Sequence, residues 1–541
     1  MIIEQLQALI KDGLKKANKE ETLGLSISKY SIDLERPKEK THGDWATNIA
    51  LVASKEAKKA PRQLAEAIVR NLPESQYIKN VEIAGPGFIN FFLTNEWFYQ
   101  VLNKVEEADK DYGQLSIGKD QSVNIEFVSA NPVGPLHIGH GRWAAVGDSL
   151  ANILNKAGYE VTKEFYVNDF GRQIDLFAAS LGVGEVPDDG YKGDYIEEYK
   201  RKIVDKHGEE ILYDTEKLKK EAVNGQLEEI ETTLKKFRVV FDVWTRESEL
   251  YSSNKVSQAI FELEDKGLTY QKEGATWLKT SQFDDEKDRV IMRSNGEPTY
   301  FAADIAYHKD KIDQGFSRLI DIWGADHHGY IARVRASIEA LGQDPNKLKI
   351  ILGQLVRLYR GQEIVKMSKR TGEMVTFDEL LEEVGKDAVR YIFLTKSTDT
   401  TLDFDIELAK EQSNKNPVYY VQYAHARICS ILKHASGQAV SYKGIKKANL
   451  SLLKAETEFN LIRHIEQFEE VIQEAATNLT PHILTTYSAK LATAFHSFYT
   501  HCKVITDDKE LTQARLALLN CAHITLRNVL ELLGVSAPQK M

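Results

Sequence analysis

The sequence predicts an α/β protein in three parts: a small α/β domain, a larger domain built on a parallel sheet, and an all-α domain at the C-terminal end. Residues 123–167 predict a strand, a glycine-rich turn, a helix and a second strand, which is a βαβ unit with parallel strands. From about residue 414 onward, apolar residues recur at helical spacing. A chain of 541 residues is also too long for one ordinary domain.

The first domain is predicted to cover residues 1–113. We expect a helix at the N-terminus, helices over residues 44–58 and 61–72, and short strands over residues 81–83 and 88–92. The tripeptide Gly85, Pro86, Gly87 separates the two strands. It suits a tight turn, because glycine tolerates a positive φ and proline fixes its own φ at a negative value.

The second domain is predicted over residues 114–409 and is of the Rossmann type, in which ligands bind at the C-terminal ends of the strands. Its first helix is expected over residues 141–156, ending at Gly158. Charges interleaved at helical spacing predict a helical insertion at about 182–241. The segments "RLIDIWGADHHGY" and "IILGQLVRLYRG" are apolar enough for central strands. Residues 410–541 form the all-α domain.

Composition favours a cytoplasmic protein without disulfides. Three cysteines, an odd number, show no paired spacing, which argues against a disulfide framework and against cysteine-ligated zinc. The chain has neither the pattern of a secretory signal nor an apolar run long enough for a membrane span. Its net charge is -10, but residues 410–541 carry 15 Lys and Arg against 11 Asp and Glu, so this end could bind RNA.

The stretch "SANPVGPLHIGHGR" follows the first strand of the βαβ unit and contains His137 and His140. A metal site is disfavoured, because no third ligand is near in sequence. A turn that leads into a helix can bind phosphate with its free N–H groups and its positive dipole end, and two imidazoles add donors. Gly139 would let a base or ribose approach bare backbone. A purely structural turn remains the alternative.

The stretch "KMSKRTG" places three cations, Lys366, Lys369 and Arg370, on one predicted loop. Mobile cations suit a pyrophosphate leaving group, whose charge grows in the transition state. Thr376 and Glu379 have the spacing of a capping box that would begin the next helix. Alone, such a basic run is more often a solvated loop.

HIGH followed by KMSKR resembles the signature of the class I aminoacyl-tRNA synthetases. The resemblance implies activation of an amino acid carboxylate by ATP with Mg²⁺, and an aminoacyl-adenylate as product. The catalytic residues it implies are His137, His140, Lys366 and Lys369. The implied ATP-binding residues also include Pro132, Gly134, Gly139, Met367 and Ser368.

The text around the signature is similar to bacterial arginyl-tRNA synthetases over nearly the whole chain, including "YVNDFGRQI", "GEPTYFAADIAYH", "WGADHHGY" and "VQYAHARI". Val133 and Ile125 depart from the commoner residues. A guanidinium needs carboxylate partners, and acidic and polar residues cluster at expected strand ends. The expected arginine-binding residues are Glu126, Asn131, Tyr300, Asp304 and Asp326, of which all but Asp326 match the family's arginine-recognition positions. A surface role is equally compatible with Asp326.

The resemblance further implies tRNA contacts at both ends of the chain, with anticodon binding by residues 410–541. Tyr419, Tyr423 and Arg427 are the candidate tRNA-binding residues, although the two tyrosines could equally be core. L-arginine, ATP and tRNA(Arg) are the expected partners. We expect a monomer, no membrane partner and no protein-bound structural metal, and the family implies that activation needs bound tRNA.

Three other classes of protein share part of this pattern and differ from the chain in other features. The 226 positions between His140 and Lys366 are too few for the editing insertion of valine, isoleucine and leucine enzymes. A small nucleotidyltransferase shares the HxGH turn, but its activity would survive deletion of residues 410–541. A binding regulator descended from a synthetase would bind ligand without releasing pyrophosphate, yet both motifs are intact.

Overall fold

The protein is described by a computed structural model that covers residues 2–37, 39–365, 375–437 and 440–541. The chain divides into two compact units. The first contains Met1–Tyr112, Ile428–Glu469 and Thr493–Thr525, and the second contains Gly113–Arg427, Glu470–Ala492 and Leu526–Met541. Within the described ranges, no helix combines the length and the apolar character that crossing a membrane requires. The three-domain division by sequence stays a prediction.

The first unit begins with a small α/β region. Its elements are α1 (Ile2–Glu20), β1 (Trp45–Thr47), α2 (Ile49–Ala57), α3 (Pro61–Arg70), β2 (Ile78–Ala84), β3 (Phe88–Leu93) and α4 (Asn95–Ala108). β3 is the central strand and pairs antiparallel with both β1 and β2. The Gly-Pro-Gly turn is confirmed, with φ of 49° at Gly85 and 144° at Gly87. The predicted helix over residues 44–58 is wrong at its start, because β1 pairs with β3 there.

The same unit contains segments from the C-terminal part of the chain. Trp97 on α4 donates from Nε1 to Glu466 Oε1 at 2.6 Å. The Glu106 carboxylate, also on α4, accepts from the Ile445 N–H at 2.8 Å and from Asn520 Nδ2 at 3.0 Å. A buried tryptophan needs a hydrogen-bond partner for its N–H, and Glu466 supplies it. These contacts attach α4 to the C-terminal segments of the unit.

The second unit carries the predicted βαβ pattern and a long series of further elements. They are β4 (Ser122–Glu126), α5 (Ile138–Lys156), β5 (Glu160–Val167), α6 (Arg172–Leu181), α7 (Asp194–His207), α8 (Thr215–Lys236), β6 (Val243–Arg246), α9 (Glu247–Ser252), α10 (Lys255–Asp265), β7 (Thr269–Lys272), β8 (Ala275–Leu278), β9 (Arg289–Met292), α11 (Tyr300–Asp313), β10 (Arg318–Gly324), α12 (Ile331–Ala340), β11 (Leu348–Gly353), β12 (Val356–Arg360), β13 (Glu363–Ile364), α13 (Phe377–Val384), α14 (Lys386–Phe393), β14 (Leu402–Asp405) and α15 (Ile406–Lys410). α7 and α8 confirm that the insertion is helical.

A five-stranded sheet in the order β11-β10-β4-β5-β6 forms the centre of this unit, and all its pairs are parallel. This confirms the Rossmann-type prediction. One expectation is wrong: "IILGQLVRLYRG" is not a single central strand. It divides into β11, at the edge of this sheet, and β12, in a separate sheet with β13 and β14. The ladder ends at Gly353, which pairs with Gly324, the last residue of β10. The next carbonyl, that of Gln354, accepts from the Arg142 guanidinium at 2.9 Å.

Helix α5 is held in place by a buried charge pair. Asp148 on α5 accepts a hydrogen bond from Nη2 of Arg390 on α14. The same guanidinium donates to the main-chain oxygens of Leu533 at 2.7 Å and Phe237 at 3.0 Å. Arg390 is only 1% exposed, so these partners must compensate the energetic cost of burying its charge. The middle of α5 is thereby fixed against the rest of the unit.

Among the described residues, five further α-helices follow and confirm the helical prediction for this end of the chain. They are α16 (Pro417–Gly437), α17 (Glu456–Glu466), α18 (Phe468–Asn478), α19 (His482–His501) and α20 (Lys509–Leu532). Pro417 is the first residue of α16, and Pro481 directly precedes α19. A proline costs no hydrogen bond in these positions, since the first N–H groups of a helix lack intrahelical acceptors.

Candidate active site

Polar side chains gather at the C-terminal edge of the five-stranded sheet. Glu126 is the last residue of β4, Asn168 follows β5 directly, and Glu247 follows β6 directly. Because the strands are parallel, all three residues lie at the same edge. The turn that contains His137 and His140 leaves β4 at this edge and leads into α5.

The two histidines occupy the first turn of α5 and cap it. His137 is the N-cap, and its Nδ1 accepts from the N–H groups of Gly139 at 3.1 Å and His140 at 3.4 Å. In return, His140 Nδ1 accepts from the His137 N–H at 3.3 Å, and the two rings stack with centroids 3.6 Å apart. α5 therefore begins at Ile138, three residues before the predicted start.

This capping determines the tautomer of both rings. Each Nδ1 accepts a main-chain hydrogen bond, so a neutral ring carries its proton on Nε2. Each Nε2–H is then a donor, as a phosphate oxygen requires. The caps thus orient both imidazoles so that each Nε2–H can donate to an anionic ligand.

Gly139 and Gly141 in the HIGH turn are required by the close approach of neighbouring side chains, and not by an unusual backbone conformation. A Cβ on Gly139 would lie 2.9 Å from Cε1 of His137, and one on Gly141 would lie 2.3 Å from Cε2 of Phe377. Pro132 is buried, and a Cβ on Gly134 would lie 3.2 Å from the Tyr195 ring. Bulkier residues would therefore displace the rings that surround the turn.

Helix α13 begins beside the HIGH turn. Thr376 Oγ1 accepts from the Glu379 N–H at 3.2 Å, and Glu379 Oε2 accepts from the Thr376 N–H at 2.7 Å, which confirms the predicted capping box. The Phe377 N–H donates to the Leu136 oxygen at 2.9 Å. The segment after KMSKR is thus attached to the turn. Lys366, Met367, Ser368 and Lys369 themselves lie outside the described residues.

Glu247 and Asp304, together called the acidic pocket below, are two neighbouring carboxyl groups at this edge that have no basic partner among the described residues. Glu247 is 2% exposed, and burial, followed by the charge of Asp304, raises its pKa to about 7. Burial likewise raises the pKa of Asp304 to about 6, against a hydrogen bond from the Tyr330 hydroxyl. Across the described ranges, neither group forms a salt bridge, and Glu247 Oε1 has no hydrogen-bond donor. The pair of acids therefore suits a bound cation.

Tyrosine side chains line this acidic pocket. Burial and then the charge of Glu247 raise the pKa of Tyr166 on β5, and burial and Asp304 raise that of Tyr330. Both phenols thus stay neutral and can donate to the carboxylates. Tyr300, the first residue of α11, is 48% exposed.

The remaining predicted arginine ligands occupy different surroundings. Asn131 Nδ2 donates to Gln173 Oε1 at 2.6 Å on the open side of the turn. The Glu126 carboxylate instead accepts from Lys311 Nζ at 2.9 Å and from Ser129 Oγ at 2.9 Å. The side chain of Asp326 is 82% exposed, so the structure does not bring it into the acidic pocket.

The candidate tRNA-binding residues lie on α16. The rings of Tyr419 and Tyr423 stack on each other with centroids 6.1 Å apart and an angle of 11° between their planes. Tyr423 is 37% exposed, and Tyr419 and Arg427 are half-buried. Neither tyrosine is fully buried core.

Sequence reasoning missed Glu247, Tyr166, Tyr330 and Lys311. The signal for Glu247 was present, since this acid follows the short run "FDVWT" with only Arg246 between them. The run was not recognised as a strand because it adjoins the charged insertion. No local pattern marks Lys311, which alternates with other charged residues on α11.

Family models cover nearly the whole chain. A model described as the tRNA synthetases class I (R) catalytic domain matches residues 101–429. The arginyl tRNA synthetase N terminal domain matches residues 4–93, and the DALR anticodon binding domain matches residues 421–541.

Similar proteins agree with these matches. A protein of Heliobacterium modesticaldum named arginine–tRNA ligase is 50% identical over 94% of this chain and 93% of its own length. A Bacillus velezensis protein of the same name is 46% identical over the full length of both. The solved arginyl-tRNA synthetase of Thermus thermophilus shares the fold, with a TM-score of 0.79 and 24% identity over 99% of this chain and all of that one. The chain, with its HIGH turn and its acidic pocket at the sheet edge, belongs to the arginyl-tRNA synthetase family of class I aminoacyl-tRNA synthetases.

Proposed function

We propose that the protein activates L-arginine with ATP and transfers it to the 3′-terminal adenosine of tRNA(Arg), with the residues described above in specific roles. The observation that carries this proposal is the acidic pocket of Glu247 and Asp304 beside the HIGH turn. Arginine–tRNA ligase activity itself follows from family membership, which the full-length relatives support.

The acidic pocket would bind the guanidinium group of arginine. A planar guanidinium presents paired N–H donors that match carboxylate oxygens, and Glu247 and Asp304 offer such oxygens without a competing cation in the ranges described. Tyr300 would cover the open side. Asn131 lies on the turn toward α5 and would hold the amino acid end of the substrate close to the ATP. We do not assign a direct contact to Asp326, because it faces solvent.

The turn and α5 would bind the ATP phosphates. His137 and His140 would donate from Nε2 as charge builds on the α-phosphate, while Pro132, Gly134 and Gly139 keep the backbone close to the nucleotide. Lys366 and Lys369 would neutralise the departing pyrophosphate, with Met367 and Ser368 beside the nucleotide. Mg²⁺ would accompany ATP as its phosphate ligand.

The reaction then needs no covalent enzyme intermediate. A carboxylate oxygen of arginine attacks the α-phosphorus, and the bond from that phosphorus to pyrophosphate breaks. A hydroxyl group of the terminal adenosine next attacks the arginyl carbonyl and loses its proton. The bond between the carbonyl carbon and the phosphate oxygen breaks, and AMP leaves with the electrons of that bond. The protein contributes position and charge stabilisation.

We also propose the wider arrangement that the family implies. Residues 1–113 would contact tRNA, residues 114–409 would carry the chemistry, and residues 410–541 would bind the anticodon, with Tyr419, Tyr423 and Arg427 on that surface. The exposed face of Tyr423 supports base stacking. The enzyme would act as a cytoplasmic monomer and would need bound tRNA(Arg) for activation.

The test is amino-acid-dependent exchange of pyrophosphate into ATP, with each of the standard amino acids and with or without tRNA(Arg). We expect exchange with arginine alone among them, and only when tRNA(Arg) is present. Exchange driven by another amino acid, or no exchange under any condition, would contradict the substrate. Exchange with arginine in the absence of tRNA would contradict the tRNA requirement only.

A further inference from the structure

A buried lysine lies beneath the acidic pocket. Lys311 on α11 is 0% exposed, and its Nζ lies 2.9 Å from Glu126 Oε2 and 3.2 Å from Asp321 Oδ1. Asp321, on β10, is also 0% exposed. The ammonium group is therefore enclosed by protein and cannot touch a substrate directly.

The surroundings of Lys311 keep it charged. Burial alone would lower its pKa, but the charges of Asp321, Glu126 and Glu164 raise the pKa above its ordinary value. The ring of Tyr307 adds a cation–π contact, with Nζ 4.1 Å from its centroid. The positive charge of Lys311 thus interacts with acidic residues on three strands, β4, β5 and β10.

The first connection runs from Lys311 to the HIGH turn. Glu126, held by Lys311, accepts from Ser129 Oγ at 2.9 Å, and that oxygen accepts from the Tyr166 N–H at 3.1 Å. Val128 and Ser129 have φ of 71° and 38°, a left-handed conformation that disfavours residues other than glycine. The Ser129 hydrogen bonds hold this turn two residues before Asn131.

The second connection runs from Lys311 to the acidic pocket. Asp321 accepts from Lys311, and its other oxygen lies 2.9 Å from Nε2 of His308. Nδ1 of His308 lies 2.8 Å from the main-chain oxygen of Asp304. Burial lowers the pKa of His308, but the hydrogen bond to Asp321, the negative charge of Asp321 and the hydrogen bond to the Asp304 main chain together raise it above its ordinary value. The helix turn that carries Asp304 is thereby fixed to β10.

We propose that Lys311 is a positioning residue for arginine activation: it joins the turn that carries Asn131 to the helix that carries Asp304. Lys311 would then hold constant the distance between the two ends of the arginine site. The guanidinium end is at Asp304 on α11, and the amino acid end is at Asn131 on the turn. This inference rests on the proposed function. On this proposal, Glu126 also acts on arginine through the turn, because its oxygens accept from Lys311 and Ser129.

Steady-state exchange kinetics with tRNA(Arg) present test the proposal. Lys311→Met keeps the length of the side chain and removes the charge, and we expect the KM for arginine to rise at least about tenfold, because misplacement of bound groups is costly. The KM for ATP should stay within about threefold, since both histidines keep their main-chain caps. Lys311→Arg keeps a cation with several donors and should recover most of the arginine affinity.

Two further variants separate positioning from folding. Lys309→Met is the matched control: it removes a lysine from the same helix that pairs with Glu262 at 3.2 Å and Asp313 at 2.7 Å, and its KM for arginine should equal that of the wild type. Ser129→Ala cuts the first connection without removing a buried charge. It should raise the KM for arginine about three- to tenfold.

The outcomes are distinct. Loss of folding alone lowers the concentration of active sites, and hence kcat, without changing KM. A Lys311→Met enzyme with the KM for arginine within about twofold of the wild type overturns the proposal. If Lys311→Met does not fold, an unchanged KM in Ser129→Ala overturns it instead. A wild-type enzyme that shows no exchange with arginine refutes the proposed function and not this connection.

Discussion

Replacing Glu247 with glutamine should stabilise the free protein and weaken arginine binding. Burial raises the pKa of this carboxyl from 4.5 to about 7. At pH values between these two pKa values, the unfolded chain releases a proton that the folded protein retains. The free energy of unfolding therefore falls as the pH rises from about 4.5 to about 7, and it remains lower above pH 7. At about 1.4 kcal/mol per pKa unit, the cost above pH 7 is at most about 3 kcal/mol.

Glutamine keeps the shape of the side chain and removes its charge. At pH 8 we expect the Glu247→Gln variant to gain about 1–3 kcal/mol, which corresponds to a rise in Tm of about 2–5 °C. At pH 5 most of this gain should vanish, because the wild-type carboxyl is then protonated in the folded protein. Loss of one buried carboxylate partner of the guanidinium should cost about 2–4 kcal/mol, or roughly a 30- to 900-fold rise in the KM for arginine.

Thermal unfolding without arginine at pH 5 and pH 8, together with arginine-dependent exchange, measures both effects. Glu249→Gln is the matched control, because Glu249 is exposed on the same helix and should change neither quantity. An equal rise in Tm at both pH values would refute the assigned cause of the instability. A KM for arginine within threefold of the wild type would refute the role of Glu247 as a ligand.

Three further substitutions test other parts of the site and its support. His140→Ala should lower the rate of arginine activation about 10- to 100-fold and leave the KM for arginine within threefold in exchange assays; the reverse pattern would contradict a phosphate role. Gly141→Ala would place a Cβ 2.3 Å from Phe377, and urea unfolding should show a loss of about 1–3 kcal/mol. Asp148→Asn leaves the buried Arg390 without its carboxylate, and a loss of about 3–5 kcal/mol is expected; an unchanged Tm would show that this pair does not anchor α5.

Local sequence patterns were sufficient for much of the fold. The alternating run before the HIGH turn, the helical periodicity after it and the Gly-Pro-Gly turn each reflect interactions within a few residues, and such interactions have a fixed period or a fixed residue preference. The boundary of α5 was missed for a related reason. Its cap is His137, and histidine is not among the usual N-cap residues, so the cap only becomes visible as a pair of stacked rings.

Other features depend on partners that are distant in sequence. Residues 44–58 look helical, but strand pairing with β3 converts three of them into β1. In the same way, the apolar run after α12 contains both an edge strand and a strand of another sheet, because its first half pairs with β10 and its second half pairs with β13 and β14. Propensity is weak beside such tertiary contacts.

The sequence by itself determined the α/β class, and it predicted the HIGH turn as a phosphate-binding turn and Asp304 as an arginine ligand candidate, since these predictions follow from short motifs. The tertiary structure decided which carboxylates share a pocket. Glu247 and Asp304 belong to different helices, and they meet because α9 packs against α11 in one buried apolar cluster. It also decided that Glu126 pairs with Lys311, because a buried ammonium group must be balanced by the acids nearest in space, whatever their distance along the chain.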